Sequence, residues 1–82
     1  MTWAWWTKPV TVEATRPGRR VMIISLARAE EYMSYEWPKA KNGAAFEAAE
    51  LALQDARSGK LNPEQARDAF VAALEEAGIQ MF

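Results

Sequence analysis

The fold of this chain is decided by residues 8–24, which read KPVTVEATRPGRRVMII. In the first seven of these residues apolar and polar side chains alternate, and a period of two predicts a half-buried β-strand with Val10 and Val12 facing inward. Pro9 suits the first position of a strand or an edge, because proline has no N–H to donate to a ladder.

A turn and a second strand are predicted next. Arg16-Pro17-Gly18-Arg19 is typical of a type II turn, since proline presets its own φ and Gly18 can adopt the positive φ required after it. Residues 20–24 predict a strand, and the apolar run from Met22 to Ile24 indicates that both of its faces are covered. We expect an antiparallel hairpin over about residues 8–24. An isolated two-stranded hairpin is only marginally stable, so helices must cover it or a second copy must extend it.

Three helices are predicted after the hairpin, over about residues 26–37, 44–58 and 63–77. Ser25 is placed to cap the first helix, and Pro38 ends it because the residue before a proline avoids the α region. The short link between the second and third helices predicts an αα-hairpin. The sequence therefore predicts one α+β domain over residues 1–82, a two-stranded antiparallel hairpin packed with three α-helices in the order ββααα.

The third helix has the clearest boundaries. Asn62 is the expected N-cap, Pro63 fills the first turn, and Gln65 stands at the capping-box position. Gly78 can adopt the left-handed conformation that ends a helix, which lets Ile79 fold back onto the last turn. Within this helix Arg67 is expected to tie the helix to a neighbouring carboxylate or carbonyl, which is a structural role.

Composition and charge exclude several functions. The 82 residues are 50% hydrophobic and 26% charged, as in a globular domain. The chain has no His and no Cys, so imidazole bases, thiol nucleophiles, disulfides and ordinary zinc sites are excluded. Its acidic side chains lie mostly on the solvent sides of two helices rather than converging. We therefore expect no catalytic residues, no metal and no cofactor, and we predict that the protein is not an enzyme.

Location is inferred from what the chain lacks. Residues 1–8 have neither the basic region nor the long apolar stretch of a secretory signal. The longest uncharged apolar run, residues 21–27, is far shorter than the ~20 residues of a membrane-spanning helix. With no disulfide framework as well, the sequence predicts a cytoplasmic protein with no membrane partner.

Tryptophan is unusually frequent, with 4 in the chain. Trp37 lies on the apolar stripe of the first helix and is predicted to be a core residue. Trp6 can pack beside the first strand, whereas Trp3 and Trp5 precede that strand and exceed what one small core is expected to cover. Because tryptophan is enriched in binding hot spots, Trp3, Trp5 and Trp6 are the candidate interface. If they are exposed, a partner or a second copy covers them.

The predicted turn carries a local positive cluster, Arg16, Arg19 and Arg20. Residues 1–41 hold seven basic and four acidic side chains, and residues 42–82 hold three basic and seven acidic ones. The cluster is a candidate anion contact, for phosphates or for an acidic partner. It is also what keeps a turn and an edge strand soluble. The formal net charge of -1 favours the second interpretation over nucleic-acid binding.

Several stretches, taken in their order and spacing, carry a family resemblance: Trp6–Val12, Trp37-Pro38, Gly43–Phe46, Ala66–Ala73 and Glu76–Ile79. On these residues the chain resembles the small bacterial proteins of domain-of-unknown-function family 982 over nearly its whole length. The resemblance implies no activity and no catalytic or binding residue.

The functional hypothesis from sequence is a non-enzymatic protein-interaction module. It is expected to self-associate as a homodimer through the Trp-rich N-terminus and the edge of the hairpin, or to bind an unknown protein partner in the same way. The alternative is weak nucleic-acid binding through Arg16, Arg19 and Arg20.

Overall fold

A computed structural model of the chain describes residues 5–14 and 18–82. The predicted ββααα order of an α+β fold is confirmed, and the first helix ends in a π-helical segment that the sequence did not predict. The elements in chain order are β1 (Trp5–Glu13), β2 (Arg20–Ser25), α1 (Leu26–Glu31), the π-helical segment (Tyr32–Glu36), α2 (Ala44–Arg57) and α3 (Pro63–Ala77).

β1 and β2 form the predicted antiparallel pair. Val10 lies opposite Ile23 and Val12 lies opposite Val21, and these four side chains face the helices. β1 starts three residues before the expected position, so Trp5 is inside the strand and not ahead of it. The alternation could not show this extension, because the residues before position 8 do not alternate.

The described part of the turn follows the sequence prediction. Gly18 has a positive φ of 79°, which a residue with a Cβ rarely adopts. The backbone N–H of Ala14 donates to the carbonyl of Arg19 at 2.9 Å, closing the hairpin. Arg16 and Pro17 of the predicted turn lie outside the described residues.

β1 is irregular between Trp5 and Val10. Trp5 lies opposite Ser25 and Val10 lies opposite Ile23, so five steps along β1 correspond to two steps along β2. Pro9 lies in this stretch, immediately before the regular pairing begins at Val10, and proline is tolerated in strands mainly at edges and bulges.

Two side chains of α3 bind the backbone of the irregular stretch. Glu64 accepts a hydrogen bond from the N–H of Thr7 at 3.0 Å, and Arg67 donates from Nε to the carbonyl of Lys8 at 2.8 Å. The two residues are three positions apart and therefore lie on the same side of the helix. The expectation that Arg67 ties its helix to a carbonyl is confirmed.

The residues after α3 add a short segment to the sheet. Met81 pairs antiparallel with Val12, which also pairs with Val21 of β2, so β1 lies between the two. The N–H of Glu13 donates to the carbonyl of Gln80 at 3.0 Å, and the N–H of Phe82 donates to the carbonyl of Thr11 at 2.9 Å. The outer edge of β1 is thus occupied over residues 11–13. This segment was not predicted, although the side chains of residues 79–81 alternate between apolar and polar.

The core lies between the inner face of the sheet and the helices. The ring of Phe70 is 5.7 Å from that of Trp6 and 6.2 Å from that of Tyr32, measured between centroids. Trp37 meets Phe46 edge to face at 5.0 Å, a favoured geometry for aromatic pairs. All five rings are buried, which confirms Trp37 as a core residue.

The predicted helix ends are confirmed. The hydroxyl of Ser25 accepts from the N–H of Arg28 at 3.1 Å, and Asn62 and Gln65 form the capping box of α3. After Gly78 the N–H of Ile79 donates to the carbonyl of Leu74 at 3.0 Å. These caps satisfy backbone groups that a helix end leaves without partners.

The π-helical segment shapes the end of the first helix. Its hydrogen bonds join residues five apart, which brings Tyr32 and Trp37 towards the same side. Both rings are buried, and their centroids are 5.8 Å apart. Trp37 itself has extended backbone with ψ of 118°, as the residue before a proline should, so Pro38 ends the helix as predicted.

Replacing Arg67 tests the link between α3 and the irregular stretch of β1. Arg67→Ala removes the donor to the Lys8 carbonyl and is expected to lower the free energy of unfolding by about 1 kcal/mol. Urea unfolding followed by far-UV circular dichroism measures the loss. Asp68→Ala on the same helix, at an exposed position, is the matched control and should change the stability by less than about 0.5 kcal/mol. Equal losses in the two variants would contradict this role for Arg67.

Candidate interaction surface

One face of the sheet carries the core and the other is open. Thr11 lies opposite Met22 and Glu13 lies opposite Arg20, and these residues alternate with the buried ones. Met22 is 61% exposed. The prediction that both faces of the second strand are covered is therefore wrong for the single chain, because the helices pack only against the face that carries the buried strand residues. The outer sheet face is defined by Thr11, Glu13, Arg20, Met22, Ile24 and Phe82.

Phe82 joins the outer sheet face through Arg20. The guanidinium carbon of Arg20 lies over the Phe82 ring, 3.8 Å from its centroid. A cation in this position is attracted by the negative face of the ring. Because Phe82 is also bonded through its N–H to β1, the contact joins β2, β1 and the C-terminal segment across the face. The Phe82 ring remains 51% exposed.

The candidate interface tryptophans are separated by the fold. Trp5 is 55% exposed and lies at the end of the sheet, opposite Ser25. Trp6 is only 5% exposed and packs on Phe70, so its ring is part of the core of the subunit. Trp3 lies outside the described residues. Of the three, Trp5 is the one whose ring the structure places at the surface.

The structure describes two of the three arginines of the candidate anion contact. Arg19 and Arg20 are exposed at the end of the hairpin, and Arg16 lies outside the described residues. Arg20 already stacks on Phe82, so one face of its guanidinium is in contact with the protein. The structure therefore gives Arg20 a place in the outer sheet face as well as in the basic turn.

The two edges of the sheet differ. Residues 80–82 occupy the edge of β1, whereas within residues 5–14 and 18–82 no strand pairs with the far edge of β2. β2 reads RVMIIS, with one charge at its first residue and no proline. Edge strands are usually protected from pairing by charges, prolines or bulges. β2 has little of this protection.

A cleft of about 300 Å³ lies at the start of α2, lined by Trp37, Phe46, Lys39, Glu76 and neighbouring residues. Glu76 accepts a hydrogen bond from the N–H of Ala45 at 3.2 Å and so caps α2 from α3. Gly43, the N-cap residue of α2, has no side chain that could cap the helix, so the carboxylate of Glu76 takes this role.

Gly43 is required at that place. Its φ is 106°, and a Cβ would overlap the carboxylate of Glu76. Because that carboxylate occupies the helix start, an anion would meet a like charge there. Glu76 therefore joins α3 to the start of α2 beside the cleft.

Charged side chains at the end of the first helix form a small network. Arg28 donates to Glu36 at 2.5 and 3.0 Å and to Glu31 at 2.8 Å. The hydrogen bond with Arg28 lowers the pKa of Glu36, and the same bond raises the pKa of Arg28. The network joins α1 to the π-helical segment.

The described residues contain no group of three or more Asp and Glu side chains placed to hold a metal ion. In the same part of the chain, no helix has the length and apolar character needed to cross a membrane. The features that stand out are therefore the outer sheet face, the far edge of β2 and Trp5.

The fold defines a small α+β domain whose sheet is covered on one face. Residues 8–81 match the model of the family described as protein of unknown function, DUF982. The match covers nearly the whole chain, so the chain belongs to this family, as the resemblance in its sequence indicated. No curated protein and no solved structure shows a significant match to it.

Tyr32 gives a test of the core that borders β1. Its hydroxyl donates to the carbonyl of Glu13 at 3.0 Å, and burial is the main reason that its pKa is raised to about 12. In the unfolded chain a tyrosine hydroxyl ionises near pH 10, whereas folded Tyr32 keeps its proton up to about pH 12. The stability that the folded state gains from holding this proton is therefore complete below pH 10 and is lost as the pH rises towards 12. Tyr32→Phe should lower the free energy of unfolding by about 1 kcal/mol at pH 7 and flatten its decline between about pH 10 and 12.

Urea unfolding at a series of pH values measures both effects. Tyr35→Phe is the matched control, because Tyr35 is 85% exposed on the same part of the chain, and it should retain the decline of the wild type. A Tyr32→Phe variant whose stability falls as steeply as the wild type above pH 10 would show that Tyr32 does not hold its proton through burial.

Proposed function

We propose that this protein is a non-enzymatic interaction module that self-associates through the outer sheet face. The observation that carries the proposal is the 61% exposure of Met22. Met22 lies in the middle of β2, whose sequence predicts a strand covered on both faces. A run such as Met22 to Ile24 is typical of strands buried on both faces. One subunit covers one face, so a second copy is the simplest cover for the other.

Other apolar groups support the same surface. The ring of Phe82 is half exposed beside Arg20, and Ile24 is half-buried on the same side of β2 as Met22. Trp5 is exposed at the end of the sheet. Exposed apolar side chains grouped on one face mark interaction sites, and large aromatic rings contribute strongly to binding.

A charge placed in the centre of the face tests the proposal. Met22→Glu should weaken self-association at least tenfold, because dimerisation would bury an unpaired carboxylate. Sedimentation equilibrium from low to high micromolar concentration measures the association. Leu51→Glu is the matched control, since Leu51 is 59% exposed on α2, and it should associate like the wild type. A wild type that stays monomeric at high micromolar concentration would refute the proposal.

Nucleic-acid binding is the alternative, supported by the exposure of Arg19 and Arg20 at the hairpin end. Under our proposal labelled duplex and single-stranded DNA should show no change in fluorescence anisotropy at low salt. Binding that disappears when Arg16, Arg19 and Arg20 are all replaced by alanine would favour the alternative, because phosphate contacts through arginine dominate such affinity.

A further inference from the structure

We infer that two copies of the chain pair edge to edge through β2, antiparallel across a two-fold axis, giving one continuous sheet in the order β1-β2-β2-β1. The inference rests on the proposed function and specifies its geometry. It names the contact as backbone pairing between strands, which brings Met22 of each outer sheet face against a neighbouring side chain of the second copy.

The edge of β2 is selected because the other edge of the sheet is in use. Over residues 11–13 the outer edge of β1 is hydrogen-bonded to residues 80–82. In the first half of β1, Glu64 and Arg67 bind the backbone of Thr7 and Lys8. Within the described residues β2 has a strand partner on one side only. A strand from another copy can therefore extend the sheet at β2 without displacing any of these contacts.

The alternation of side chains limits the register. Met22 faces outward and Ile23 faces the core, and residues opposite each other in antiparallel strands point to the same face. The two-fold axis must therefore pass through a residue of β2, and an axis through Met22 or through Ile23, at the middle of the strand, gives the longest pairing. In the first register Met22 lies opposite the partner's Met22. In the second register it lies opposite the partner's Ile24. Both registers place the two outer sheet faces side by side.

Charge favours this antiparallel arrangement of two copies. Arg20 is the only charged residue of β2 and stands at its first position. In the two registers Arg20 lies opposite the partner's Ile24 or the partner's Leu26, both uncharged. The two arginines are then about 13 to 20 Å apart, at ~3.3 Å per residue. This is beyond the screening length of ~8 Å at physiological salt. A second copy therefore fits the edge without opposing like charges.

Cysteine cross-linking tests the geometry directly, because the chain has no cysteine of its own. Cα atoms of directly opposite residues are about 4.5–5.5 Å apart, within the range that a disulfide spans. Oxidised Met22→Cys alone should form a covalent dimer at least tenfold faster than Leu51→Cys if the axis passes through Met22. If the axis passes through Ile23, an equimolar mixture of the Met22→Cys and Ile24→Cys variants should form the mixed covalent dimer at least tenfold faster than Leu51→Cys forms its own dimer. Leu51 is the control because its exposure, 59%, matches the 61% of Met22.

Amide hydrogen exchange provides a readout that needs no substitution. Alternate N–H groups of β2 point away from β1, and in the dimer they donate to the second copy. Their exchange in the wild type should slow at least tenfold between low and high micromolar concentration, while the exposed amides of residues 39–42 remain unchanged.

The outcomes separate this inference from the proposed function. If the wild type self-associates but neither cysteine arrangement links faster than Leu51→Cys and the β2 amides stay unprotected, edge pairing is wrong and association through the outer sheet face stands. If the wild type is monomeric at every concentration, both are wrong. Rapid linking together with protected β2 amides supports both.

Discussion

The structure depends on β1 being hydrogen-bonded along both edges. β2 pairs with one edge and residues 80–82 pair with the other, while the side chains of Glu64 and Arg67 bind the backbone of the irregular first half of the strand. Each of these partners comes from a different part of the chain. Because backbone N–H and C=O groups buried without partners cost free energy, β1 positions the C-terminal segment and α3 as well as its neighbouring strand.

Because of this arrangement the two faces of the sheet differ from each other, and so do its two edges. The inner face is filled by aromatic and aliphatic side chains around Phe70, and the outer sheet face holds Met22 and Phe82 in contact with water. One edge is occupied and the other ends in a strand with a single charge. The open face and the open edge meet at β2. Pairing at β2 would satisfy the open edge and bring Met22 of the outer sheet face against the second copy, which is why β2 is central to the proposed function.

Most of the fold could be predicted from local patterns. The capping box at Asn62, the left-handed Gly78 and the proline after Trp37 act within a few residues, so the sequence shows them directly. The π-helical segment and the cap that Glu76 supplies to α2 could not be predicted. The cap joins residues 31 positions apart, and the segment follows no periodic signal.

The candidate site shows the same division. Sequence alone determined that β2 is apolar, that tryptophans crowd the start of the chain and that His and Cys chemistry is absent, because these follow from residue type. Only the tertiary structure decided that Trp6 is buried while Trp5 and Met22 are exposed. It also decided that the C-terminal residues occupy the edge of β1. Side-chain type sets what a residue can contact, but the packing of distant segments sets which face and which edge remain open.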